Sequence, residues 1–162
     1  MTKMTKMTKM TKMTEPIAPI AQASHASTRQ EISSGRPWEL RYGYSRAVRI
    51  GPLFQSSLTS PADSNGRVVC PGDIYGQSRQ ALTILQAALA EAGMGFSDVI
   101  ATRVYMLDTS RWEDAARAHV EFVTAVRPAL SFIGVANFFD PAILVEFEIT
   151  AVKANTVQCD RI

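Results

Sequence analysis

Residues 143–152 read ILVEFEITAV, and this segment restricts the fold more than any other. Ile143, Val145, Phe147 and Ile149 fall on one side of an extended chain, while Leu144, Glu146, Glu148, Thr150 and Val152 fall on the other. Alternation of period two is the signature of a strand with one face against a core. The second side is unusual, because two carboxylates sit among apolar neighbours and each needs a partner or water. Any fold for this chain has to cover the first side fully and find a use for the second.

The segments that could do the covering are few. From Ile74, the residues Ala81, Leu82, Leu85, Ala88, Leu89 and Ala92 recur at helical spacing after PGD, and Gly93 supplies a stop. A second stripe holds Trp112, Ala115, Ala116, His119, Phe122, Val123 and Val126, opened by a capping box of Ser110 and Glu113 and closed by Pro128. The strands are YSRAVRI (44–50), PLFQSSL (52–58), VIATRVYML (99–107), ALSFIGVA (129–136) and the segment at 143–152. The order is therefore ββαβαββ, an α+β domain. Two single-striped helices can cover only one face of a mixed sheet. In this reading Leu130, Phe132, Leu144 and Val152 share the uncovered face with Glu146, and an apolar patch of that size is expected to be buried between copies of the chain.

Charge and composition exclude several functions. Residues 1–30 carry four lysines and Arg29 against Glu15, and the rest of the chain holds 12 basic against 14 acidic residues. A folded body of that balance lacks the basic surface that nucleic acid requires. Two cysteines, Cys70 and Cys159, without close spacing make neither a metal site nor a disulfide framework. No stretch approaches a membrane span, and a cytoplasmic location is expected. The triplet repeat MTKMTKMTKMTKMT followed by EPIAPIAQASHASTRQ reads as a disordered tail and linker over 1–30. The domain is expected over 31–155, with a short tail at 156–162. His25 lies in the linker and has no companion ligand.

The pieces SSGRPWE, GYSRAV, GDIYGQSRQAL, DVIATRVYMLDTSRWEDAARAHVEF, RPA and DPAILVEFEITAV together resemble the Rid (YjgF-type) family of reactive-intermediate deaminases over about residues 33–153. The resemblance implies a chorismate-mutase-like subunit, a homotrimer around a central barrel, and ligand clefts between neighbours. It implies hydrolysis of enamines or imines such as 2-aminoacrylate with no cofactor and no metal. Carried over by position, the tyrosine of the pocket is Tyr44, the serine is Ser57, and the glutamate that positions water is Glu146. The glycine after the serine is Leu58, the substrate-binding arginine is Leu130, and an acidic position two after Phe132 is Gly134.

Leu130 is the departure that matters, since leucine cannot hold a carboxylate. Three readings stay open: a different substrate, a replacement cation such as Arg103, or a trimer that binds a small molecule without chemistry. Glu146 reads as a general base or as an interface carboxylate. Arg103 reads equally as the partner of Glu148 or of a neighbouring subunit, and His119 on the helical stripe reads as a hydrogen-bonded core residue. The leading expectation is a cofactor-independent hydrolase acting on an imine, enamine or enol, less anionic at the Leu130 position than 2-aminoacrylate.

Overall fold

The computed structural model describes residues 28–154. Residues 1–27, with the methionine repeat and His25, and residues 155–162, with Cys159, lie outside the described residues. The element order is β1 (Arg29–Ile32), α1 (Pro37–Tyr42), β2 (Ala47–Ile50), β3 (Leu53–Ser56), α2 (Ile74–Glu91), β4 (Val99–Met106), α3 (Trp112–Val123), β5 (Ala129–Gly134) and β6 (Val145–Val152). The expected α+β order is present, preceded by one edge strand and one six-residue helix that the sequence reading omitted. The signals for α1 were there: Pro37 takes the first helical turn, and Gly43 ends it with a left-handed φ of 66°. Glu39 ties this helix down, because its carboxylate accepts hydrogen bonds from the Ser33 and Ser34 hydroxyls and from the Ser34 amide. The first strand starts at Arg29, two residues before the expected domain boundary.

Six strands form one sheet in the order β1-β2-β3-β6-β4-β5. Only β4 and β5 run parallel, as the crossover through α3 requires; the other pairs are antiparallel. The last strand in sequence is thus inserted at the centre of the sheet. Its first side is fully buried, as the alternation predicts: Ile143, Val145, Phe147 and Ile149 are shut off from solvent with Phe54, Val104 and Met106. Against them pack Ile74, Ala81, Leu82, Leu85, Ala88 and Leu89 of α2, which Gly93 ends in a left-handed conformation. Fully burying one such leucine contributes ~1.5–3 kcal/mol.

The start of α3 differs from the expected capping box. Asp108 accepts hydrogen bonds from the Ser110 amide at 2.9 Å and the Ser110 hydroxyl at 2.6 Å, so the aspartate organises a single 3₁₀ turn ahead of Trp112. His119 is buried as expected, and its Nε2 shares a 3.0 Å hydrogen bond with Thr102 Oγ1.

The face assigned to β5 is corrected. Leu130 lies opposite Thr102, which lies opposite Ile149, and Phe132 lies opposite Val104 and hence Phe147. Paired residues share a face, so Leu130, Phe132 and Gly134 belong to the helix-covered side. Glu146 lies opposite Tyr105, which lies opposite Ile133, on the other side. Leu130 is therefore two strands from β6 and on the opposite face, where it remains 39% exposed because β5 is an edge. The reason is register: alternation orders residues within a strand, whereas strand pairing sets the phase between strands. The uncovered face carries Ile50 and Leu53, both exposed, beside a polar row of Gln55, Thr150, Glu148, Arg103 and Tyr105.

Candidate functional site

Glu146 is 4% exposed and occupies the floor of a cavity of about 810 Å³. The strand delivers it there because its neighbours Val145 and Phe147 must enter the core, which turns the carboxylate outward. One oxygen accepts a hydrogen bond from the Ser60 hydroxyl. Burial pushes the carboxyl pKa above the ordinary glutamate value, while the Ser60 bond and the charge of Arg46 pull it back. A carboxylate raised in this way can accept a proton from water near neutral pH.

Arg46 lines the same cavity and is 7% exposed. It sits just before β2, and its Nη1 donates to the Leu58 carbonyl at 3.0 Å and the Thr59 hydroxyl at 3.1 Å. Its Nε is buried without a partner among the described residues. Desolvation lowers the arginine pKa, and the nearby groups Tyr44, Glu39 and Glu146 act in the opposite direction. Four aromatic side chains line it: Trp38, Tyr42, Tyr44 and Phe139. Phe139 is 85% exposed, so a large ring stands at the mouth with little to cover it within the subunit.

The loop that carries Phe139, Asp140 and Ile143 is held by a buried side chain of α2. Gln77 Nε2 donates to the Ala142 carbonyl at 2.8 Å and the Cys70 carbonyl at 3.3 Å, and Gln77 Oε1 accepts from the Leu144 amide at 2.8 Å. Asp140 Oδ1 accepts from the Ala142 amide and closes a turn within the loop.

Of the residues singled out from the sequence, Tyr44 and Leu58 join Glu146 in this cavity. Ser57 does not. Its hydroxyl donates to the Ser45 carbonyl at 2.7 Å, and it borders a separate depression beside Glu39. Ser60, three residues later, is the serine that meets the carboxylate.

Arg103 lies outside the cavity and pairs with Glu148 at 3.2 Å. Glu148 also receives Gln55 Nε2 at 2.7 Å and the Tyr105 hydroxyl at 3.2 Å, which leaves its carboxylate fully engaged. Burial, then Glu148, raises the Tyr105 pKa. Leu130, Phe132 and Gly134 are on the far edge, with Phe132 against Trp112 at a centroid distance of 5.6 Å and Gly134 close to Thr109. The replacement cation in reach of Glu146 is Arg46, which the sequence reading missed. The only signal for it was a charge inside the alternating run YSRAVRI.

Among the described residues no group of His, Cys, Asp and Glu is arranged to hold a metal, and no helix is long and apolar enough to cross a membrane. What the cavity offers is a carboxylate with a raised pKa, a hydroxyl, the guanidinium of Arg46, a second one from Arg36 that donates to the Ala62 and Asp63 carbonyls, and aromatic side chains.

Comparisons agree with this architecture. A protein family described as Endoribonuclease L-PSP matches residues 37–153. An uncharacterized protein of Streptomyces coelicolor is 33% identical over 124 residues, which cover 76% of this chain and 92% of that one. A RutC family protein of Pyrococcus horikoshii is 29% identical over 110 residues, covering 68% and 86% respectively. Among solved structures, a Mycobacterium tuberculosis protein described as a member of the YjgF/YER057c/UK114 family superposes with a TM-score of 0.70 at 37% identity. That match covers 78% of this chain and all of the other. The Escherichia coli YjgF gene product gives a TM-score of 0.67 at 25% identity, covering 77% and 99%.

Proposed function

The chain belongs to the Endoribonuclease L-PSP family, which includes the YjgF and RutC proteins, and from that premise we propose that it hydrolyses a small imine or enamine without a cofactor, with Glu146 as general base. The observation that carries this reading is the buried Glu146 carboxylate, held by Ser60 at the floor of a cavity large enough for a small metabolite. Activity on RNA is disfavoured, because acidic groups outnumber basic ones outside the first 30 residues.

In the proposed step, Glu146 takes a proton from water as the water oxygen bonds to the imine carbon and the C=N bond becomes single. The carboxyl returns that proton to nitrogen, giving a carbinolamine; Glu146 then carries the hydroxyl proton to the amine nitrogen, the C–N bond breaks, and ammonia leaves as the carbonyl forms. No electrons are exchanged, so no redox partner is needed. Ser60 orients the carboxylate, and the aromatic lining favours a substrate with an apolar substituent.

The working assembly in this reading is a homotrimer. The sheet face bearing Ile50 and Leu53 has no cover among the described residues. Leu130, Phe132 and Gly134 are too far from Glu146 within one subunit, so they would border a cleft only as a neighbour's residues. There Leu130 would present an apolar wall.

The test is hydrolysis of imines made in place by an amino-acid oxidase acting on amino acids of graded side-chain size, followed through the 2-oxo acid formed. Wild type should accelerate release of the 2-oxo acid from imines with bulky apolar side chains. Glu146→Gln should lower that rate by about 10²–10⁴-fold, the usual contribution of a general base. Wild type no faster than the uncatalysed reaction across the series would instead support a ligand-binding protein without chemistry.

A further inference from the structure

The family resemblance places a substrate-binding arginine at Leu130, where this chain cannot hold an anion, yet its own cavity contains a buried cation. We propose that Arg46 is the anion receptor of this site, and that the ligand is a small carboxylate or enolate bearing an apolar or aromatic group. This rests on reading the Glu146 cavity as the ligand site, and it names the class of molecule that fits.

Three features of Arg46 support the assignment. First, the residue is only 7% exposed, yet its guanidinium is poorly satisfied. Among the described residues it donates only through Nη1, and Nε has no acceptor. Arginine carries five N–H donors, and a buried guanidinium left with open donors is unfavourable unless something else supplies acceptors. Second, Arg46 and Glu146 line the same cavity and influence each other's ionisation, but they form no ion pair. Two opposite buried charges held apart leave room for a ligand that offers an anionic oxygen to one and a labile proton, or a water, to the other. Third, Glu39, the other carboxylate whose charge acts on Arg46, is not free to neutralise it, since Ser33 and Ser34 engage it.

The alternative is that Arg46 only braces the turn after β3 through the Leu58 carbonyl and Thr59. That role uses Nη1 alone. It gives no reason for a planar, five-donor group where lysine or glutamine would make the same bonds. The cavity walls add selectivity. Trp38, Tyr44 and Phe139 line it, so a ligand whose anion reaches Arg46 projects its other end among aromatic rings.

The experiment compares phenylacetate with phenylacetamide, which share size and ring but differ in charge, by calorimetric titration at pH 7 on the full-length protein. Wild type should bind phenylacetate at least tenfold more tightly than phenylacetamide. Arg46→Gln should abolish that preference while leaving phenylacetamide affinity within about twofold. Arg46→Lys should keep part of the preference, because a point charge replaces the fork. Equal affinity of wild type for acid and amide, or binding of neither, overturns the assignment whether or not the variants fold. An equal loss for both probes in a folded Arg46→Gln protein overturns it as well, and marks the residue as a brace. None of these readings depends on imine hydrolysis, so a failure of the proposed activity leaves the receptor test intact.

Discussion

Replacing Gln77 with leucine should loosen the cavity from a distance, and the size of the effect follows from its hydrogen bonds. Gln77 is fully buried in the first turns of α2. Its amide satisfies the Ala142 carbonyl and the Leu144 amide, both at 2.8 Å, with a weaker contact to the Cys70 carbonyl at 3.3 Å. Leucine has nearly the same volume but no polar atoms, so two backbone groups of the 135–144 loop lose their partners. Each buried unsatisfied group costs ~1–3 kcal/mol, and the added apolar burial offsets part of this. The expected loss is about 2–4 kcal/mol. At ~3–4 °C per kcal/mol for a domain of this size, the thermal midpoint should fall by roughly 6–16 °C at matched protein concentration.

Hydrogen exchange should locate the change. The peptide spanning 136–144 should lose protection, while β4 and the second half of α2 keep theirs. Gln80→Leu is the control on the same helix, because Gln80 makes one bond, to the Ala62 carbonyl at 3.1 Å, and is partly exposed. Its cost should stay near 1 kcal/mol or below. If Gln77→Leu melts within 1 °C of wild type, or the two variants lose equal stability, the loop is not held by Gln77 and the reasoning is refuted.

Two further outcomes follow from the charges and faces already described. Because burial raises the Glu146 pKa above its unfolded value, the protonated form favours folding; its stability contribution is complete below the unfolded pKa and is lost as pH rises through the folded one. Glu146→Gln should therefore be more stable than wild type at pH 7–8, with the difference shrinking towards about pH 4; denaturant melts across that range that show a constant difference, or a less stable variant at neutral pH, would contradict this. In solution at micromolar concentration, light scattering should give the mass of a trimer, and Leu53→Glu, which puts a charge on the exposed apolar end of the uncovered sheet face, should shift it towards monomer. A wild-type monomer would defeat the proposed inter-subunit cleft.

Local periodicity in the sequence marked every strand and helix of the fold but β1 and α1, and ordered the two sides within each. Alternation in ILVEFEITAV is enough to bury Ile143, Val145, Phe147 and Ile149, because a strand has only two faces and water rejects one of them. Helical spacing from Ile74 to Ala92 marks the stripe that covers them, and Gly93 marks its end, since a left-handed residue there suits glycine alone at little cost. The family was legible for the same reason: many of its motif positions are core and turn positions that local chemistry fixes. Glu146 was legible as well, as a carboxylate that no core would keep without a purpose.

What alternation cannot supply is the phase between strands. Leu130 and Glu146 each alternate correctly within their own strands, yet only the parallel pairing of β4 with β5 and the antiparallel pairing of β4 with β6 put them on opposite faces. A shift of one residue in either pairing would reverse that outcome without altering any local pattern. The meeting of Arg46 with Glu146 and Ser60 was hidden in the same way. It depends on β6 entering the sheet beside β3, a contact between segments about a hundred residues apart. Local periodicity reports which side chains avoid water; the choice of strand neighbours is settled by the whole core at once, and that choice decides which charges share a cavity.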